Sequence, residues 1–180
     1  MIVDFDDFGE DCVISDQCQT RDCRKELEKL KEINPNFKVT LFAVPAKMTE
    51  ELYGWAHKNK DWVELVQHGY FHNSNYECEK MTKEECLDIL RARFKGFKAP
   101  GWQISDGCYE AIKESGMWIA DQAYNDERRP DGLPVYKVGE NSYHGHVWDC
   151  CGNGITEDWD NLLELVKKTK NFKFVSEVVK

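Results

Sequence analysis

The chain has 180 residues, enough for one domain that buries roughly 70% of its unfolded surface. Hydrophobic residues make up 41% and charged residues 32%, a globular balance that argues against disorder. The net charge of −9 (33 acidic, 24 basic) disfavours nucleic acid as a partner, and no apolar run is long enough to suggest a membrane span.

Residues 1–5 read as a short buried strand, with Asp6-Asp7 following its end. This N-terminus lacks a basic region and an apolar signal core, which points to a cytoplasmic protein or to one whose leader has been removed. The polar, cysteine-bearing segment from Asp11 to Thr20 reads as a loop, and Arg24 to Glu32 as a helix, broken by Asn34-Pro35-Asn36. Phe37 to Val44 is rich in β-branched and aromatic residues and suits a buried parallel strand. Thr49 caps a helix to about Lys58, and Trp62 to Val66 forms a third strand that delivers His68.

Thr82 and Glu85 form a capping box that opens a helix to about Phe94. Gly96 to Ala99 is a fourth strand ended by Pro100-Gly101, Ser105 caps a helix stopped at Gly116, and Met117 to Ala120 is a fifth strand. Asn125 to Gly132 reads as a loop, followed by strands over Pro134 to Val138 and Ser142 to Val147. Thr156 caps the last helix and Phe172 to Val175 reads as a final strand. The eight cysteines contain no C-x-x-C pair, and the absent leader favours reduced thiols over disulfides.

This alternation predicts an α/β fold with a mainly parallel sheet, open or closed as a barrel, and no linker divides the chain. In such folds ligands bind at the carboxyl ends of the strands. Asp6-Asp7, His68, Pro100-Gly101 and His146 all follow strand ends, so residues distant in sequence meet on one face. His68 and His72 are two of only five histidines. Two imidazoles and one carboxylate hold a metal with a position left for water. The remaining aspartate and a histidine of His144-Gly145-His146 then serve as base and acid for metal-assisted deacylation.

The same stretches resemble the polysaccharide deacetylase superfamily, carbohydrate esterase family 4, which shares the NodB homology domain. Its Thr-Phe-Asp-Asp-Gly motif is similar to Asp4-Phe5-Asp6-Asp7-Phe8-Gly9, and its His-Ser/Thr-x-x-His motif to His68-Gly69-Tyr70-Phe71-His72. Its Arg-x-Pro motif is similar to Lys98-Ala99-Pro100-Gly101-Trp102, and its late Leu-x-His motif is echoed by Ser142 to His146. The aspartate-tryptophan motif has only Asp121 as its nearest counterpart, a partner for Lys98.

The resemblance implies a distorted (β/α) barrel of about seven parallel strands, NodB-like, as one catalytic domain over residues 1–180. It makes Asp7, His68 and His72 the metal ligands, Asp6 the general base and Lys98 the charge that orients it. His146, nearer the strand end, is favoured as the acid, with His144 the alternative. Gly101 and Pro100 border the oxyanion, and Trp102 and Trp148 are candidates to stack on a sugar ring. The implied metal is zinc, with cobalt, nickel and iron as alternatives. The implied activity is removal of an N- or O-acetyl group from a carbohydrate or an acylated small molecule. The rival readings are a catalytically weak or inactive carbohydrate-binding relative and a metal-dependent amidohydrolase acting on a non-sugar amide.

Overall fold

The chain enters its fold through β1 (Ile2–Phe8), every residue of which is buried. Val3 and Phe5 join the apolar layer between sheet and helices, whereas Ile2 belongs to a second cluster on the sheet's inner face. Side chains alternate along a strand, so Asp4 and Asp6 face inward with Ile2. The strand runs past Asp6 and Asp7 rather than ending before them, with a register irregularity against its neighbour between Phe5 and Phe8. A computed structural model describes residues 1–15, 18–138, 142–147 and 158–179, with the backbone alone at 13–15 and 18.

β2 (Cys12–Ser15) and β3 (Cys18–Thr20) pair as an antiparallel hairpin where the sequence suggested a loop. Strands of four and three residues are too short for an alternating pattern to mark them in the sequence. α1 (Arg24–Ile33) buries Leu27 and Leu30, and β4 (Val39–Ala43) is buried throughout. α2 (Glu50–Lys58) is capped by Thr49, whose hydroxyl accepts the Leu52 N–H at 3.3 Å. β5 (Val63–His68) runs two residues beyond Val66, placing His68 at its last position.

α3 (Lys83–Ile89) opens on the expected capping box, with Thr82 and Glu85 exchanging bonds of 2.8 and 3.2 Å. It ends well before Phe94, and buried Gln67 supplies the reason. The Gln67 side chain accepts the Arg91 N–H at 2.9 Å and donates to the Ile89 carbonyl at 2.9 Å. Those bonds take up backbone groups that another helical turn would use.

β6 (Gly96–Lys98), α4 (Asp106–Glu114, capped by Ser105), β7 (Trp118–Asp121), β8 (Val135–Lys137), β9 (Ser142–His146) and α5 (Trp159–Lys168) complete the chain. The cap expected at Thr156 lies outside the described residues. Part of the expected loop over Asn125 to Gly132 is 3-10 helix, at Ala123–Arg128.

Seven strands form one sheet in the order β8-β7-β6-β5-β4-β1-β9, and every pairing in it is parallel. The sheet curls into a half-barrel with helices outside, the distorted NodB-like (β/α) barrel that the resemblance implies. Across its interior the Tyr136 hydroxyl of β8 donates to Asp4 of β1 at 3.2 Å. The strand expected over Phe172 to Val175 is absent. The Lys173 N–H goes to the Met1 carbonyl and the Val175 N–H to the Thr40 hydroxyl, while Val175 plugs the inner apolar cluster. Among the described residues no helix is long and apolar enough to cross a membrane.

The Gln67 side chain holds three main-chain partners, including the Gly69 carbonyl at 2.8 Å. Gln67→Leu strands these buried groups and is expected to lower unfolding free energy by about 2–3 kcal/mol in urea titrations.

Candidate metal centre and active site

β1 brings three aspartates into the interior: Asp4 is 0% exposed, Asp6 3% and Asp7 1%. Asp7 has a φ of +70°, the left-handed region, at the irregularity between Phe5 and Phe8. That kink turns Asp7 out of strict alternation, so neighbouring carboxylates serve separate partners.

Asp7 Oδ1 lies 3.4 Å from His68 Nε2 and 3.1 Å from His72 Nε2, and the three donor atoms fall within 4.8 Å of one another. Ligands at 2.0–2.1 Å around a tetrahedral ion are about 3.3 Å apart, so the donor set fits a zinc-like cation. His68 Nδ1 lies 3.2 Å from the Lys98 carbonyl. A carbonyl only accepts, so Nδ1 carries the hydrogen and Nε2 is left to bind metal. Burial lowers the His68 pKa and outweighs the opposing pull of Asp6 and Asp7. The ring is therefore neutral near pH 7, the form that ligates, and its contacts with the aspartates are not ion pairs. For Asp7, burial opposes ionisation, but the imidazoles of His68 and His72 that its Oδ1 faces hold the carboxyl far below the usual range.

Asp6 has a different environment. Lys98 Nζ donates to both of its oxygens, at 2.6 Å to Oδ1. Lys98 is fully enclosed, with Nζ 3.9 Å from the Trp102 ring centre and 4.8 Å from that of Phe42. Burial pushes the Asp6 carboxyl up, but the Lys98 ammonium beside it outweighs burial and holds the pKa at about 2.

The two late histidines separate by register. β9 pairs with β1 so that Asp4 lies opposite His144 and Asp6 opposite His146. His144 Nδ1 is 2.5 Å from Asp4 Oδ1, and its Nε2 faces Lys98 Nζ at 3.4 Å and Asp6 Oδ2 at 3.7 Å. His146 Nε2 is 3.6 Å from Asp6 Oδ2, with a side chain 39% exposed against 22% for His144.

The structure thus brings together Asp6, Asp7, His68, His72, Lys98, His144 and His146. Half-buried Trp102 roofs Lys98 with its ring 6.0 Å from that of His144. Pro100 is buried, whereas Gly101 is exposed at φ +56°. Trp148 lies outside the described residues. Asp121 does not pair with Lys98. It accepts from Tyr109 at 2.6 Å, Asn125 at 2.9 Å and Arg129 at 3.2 Å, partners supplied by α4 and the turn after β7.

Asp4 and Tyr136 escape sequence reasoning, since the resemblance draws attention to Asp6-Asp7. The signal for Asp4 was its period-two spacing from Asp6 on a buried strand.

Replacing Lys98 with Met leaves Asp6 buried without its cation, and a loss of about 3–5 kcal/mol at pH 7 is expected in chemical denaturation. Asp6 is depressed from 3.8 to about 2, so its contribution to stability is present above pH 4 and fades as pH falls toward 2. The gap between wild type and Lys98→Met should therefore narrow over that acid range.

No family model matches the chain, and no curated protein matches it in sequence. Solved structures do match. The CE4 domain of a multidomain xylanase from the hindgut metagenome of Trinervitermes trinervoides aligns over 98% of this chain and 87% of its own, with TM-score 0.59 and 16% identity. A family 4 acetyl xylan esterase from Clostridium thermocellum, in complex with a cobalt ion, aligns over 98% and 88%, with TM-score 0.59 and 14% identity. A CE4 family pseudoenzyme from Bacillus anthracis aligns over 98% and 64%, with TM-score 0.55 and 12% identity. The chain has the fold of the carbohydrate esterase family 4 domains.

Proposed function

We propose that the protein is a metal-dependent deacetylase that removes an N- or O-acetyl group from a carbohydrate. The observation that carries this reading is the Asp7, His68 and His72 donor set beside a second, lysine-held aspartate at the same strand ends. The likeness of fold to an acetyl xylan esterase solved with a cobalt ion supports it.

Asp7, His68 and His72 would hold the divalent cation, zinc first among the candidates. A cation held there would supply water of lowered pKa, about 7, and Lewis-acid polarisation of the acyl carbonyl. Asp6 takes the proton released from water, held in place by the two bonds from Lys98. We assign the acid to His144 rather than His146, because buried Asp4 holds its Nδ1 while its Nε2 faces the Lys98–Asp6 pair. A carboxylate at Nδ1 fixes the tautomer and stabilises the imidazolium, as in acyl-transfer triads. Tyr136, donating to the other Asp4 oxygen, keeps that carboxylate in place. The Gly101 turn and the Trp102 ring border the space where the acyl group and sugar would sit.

One observation favours a second reading, a carbohydrate-binding relative with weak or no turnover. With Lys98 donating to both of its oxygens, Asp6 has little driving force for accepting a proton near neutral pH.

Acetate release from acetylated oligosaccharides, with zinc or cobalt and with chelator, tests the proposal. Metal-dependent release is expected. Asp7→Ala should lose metal binding, whereas Asp6→Asn should keep the metal and lower turnover by about 10²–10⁴-fold. His144→Ala should fall as far as Asp6→Asn, and His146→Ala less far. Stoichiometric metal with sugar affinity but no release, across a wide substrate panel, would favour the second reading.

A further inference from the structure

The loop that carries His72 is braced by a residue that the catalytic roles do not use. β5 ends at His68, and the backbone then reverses through Gly69 at φ +52° and His72 at φ +50°. A reversal of this kind points several amides to one side without giving them ladder partners. Here they converge on one carboxylate. Glu77 accepts the Tyr70 N–H at 3.2 Å on each oxygen, the Phe71 N–H at 2.9 Å and the His72 N–H at 3.1 Å.

Two further features fix this arrangement. Cys78, next in the chain, is fully buried, and its carbonyl accepts the Ser105 N–H at 2.9 Å, which anchors Glu77 from behind. On the other side, a Cβ at Gly69 would come within 2.3 Å of Glu77 Oε2 and 2.7 Å of Pro100 Cγ. Any side chain at position 69 would therefore displace the carboxylate. Gly69 and Glu77, eight positions apart, form a matched pair.

We infer that Glu77 is the positioning residue of the metal centre, acting on His72 through the main chain. The inference rests on the metal-dependent reading above. The imidazole of His72 must sit within a few tenths of an ångström of its place beside Asp7 to ligate. His72 holds a left-handed backbone angle that non-glycine residues adopt at a cost, and charge-assisted bonds from three consecutive amides offset that cost. Outer groups that orient metal-ligating histidines typically change metal affinity by about 10- to 100-fold when removed.

The test is calorimetric titration of zinc and of cobalt into metal-free protein, with thermal unfolding followed with and without metal. Glu77→Ala is expected to bind each metal about 10- to 100-fold more weakly than wild type and to gain less thermal stability from it. Glu77→Gln must turn an amide NH₂ toward at least one backbone N–H, so it should fall between the two. Glu79→Ala, at an exposed neighbour, should leave affinity unchanged. Wild type that binds neither metal overturns the metal reading itself. Wild type that binds while Glu77→Ala and Glu77→Gln bind equally tightly overturns the positioning role alone, as does lower metal-free stability with unchanged affinity. Should Glu77→Ala fail to fold, Glu77→Gln decides by the same titration.

Discussion

Three carboxylates buried on one strand are the constraint to which the rest of the site answers. Asp4, Asp6 and Asp7 lie within four residues of β1 and are almost wholly withdrawn from water. An unpaired buried carboxylate costs several kcal/mol, so each needs a cation, a hydrogen-bond donor or a metal. The fold supplies a different answer for each. Asp4 takes His144 and Tyr136, Asp6 takes Lys98, and Asp7 faces His68 and His72.

The order of strands makes those answers available. β1 lies near one edge of the half-barrel, between β4 and β9, so β9 contributes its histidines directly through register. β5 and β6 lie two and three places away, and sheet curvature carries His68 and Lys98 back over the carboxylates. Lys98 reaches Asp6 with a compact ammonium at the end of a flexible stem, and Phe42 and Trp102 shield it. The planar fork of an arginine would need a different space. Enclosure alone would make Asp6 a stronger base; the ammonium of Lys98 keeps it a weak one, which is where the two functional readings diverge.

A fold shared at 12–16% identity carries no activity by itself, because the same scaffold hosts several chemistries. What bears on function is that this chain's own donors meet where the strands end. The hydrogen bond from His68 to the Lys98 carbonyl links the metal ligands to the strand of the lysine. Two halves of the candidate site therefore share one piece of backbone.

Much of this was legible in the order of residues. Apolar alternation, the caps at Thr49, Thr82 and Ser105, and the spacing of His68 and His72 depend on neighbours within a few positions, and these set the elements and their ends. The pairing of β2 with β3 rests on main-chain bonds and the early stop of α3 on the Gln67 side chain, neither of which leaves a periodic trace. Residue order alone specifies a parallel α/β chain with aspartates and histidines at its strand ends. Which histidine serves which aspartate depends on the folded sheet, because Asp4 and His144 are 140 residues apart and meet through the register of β1 with β9.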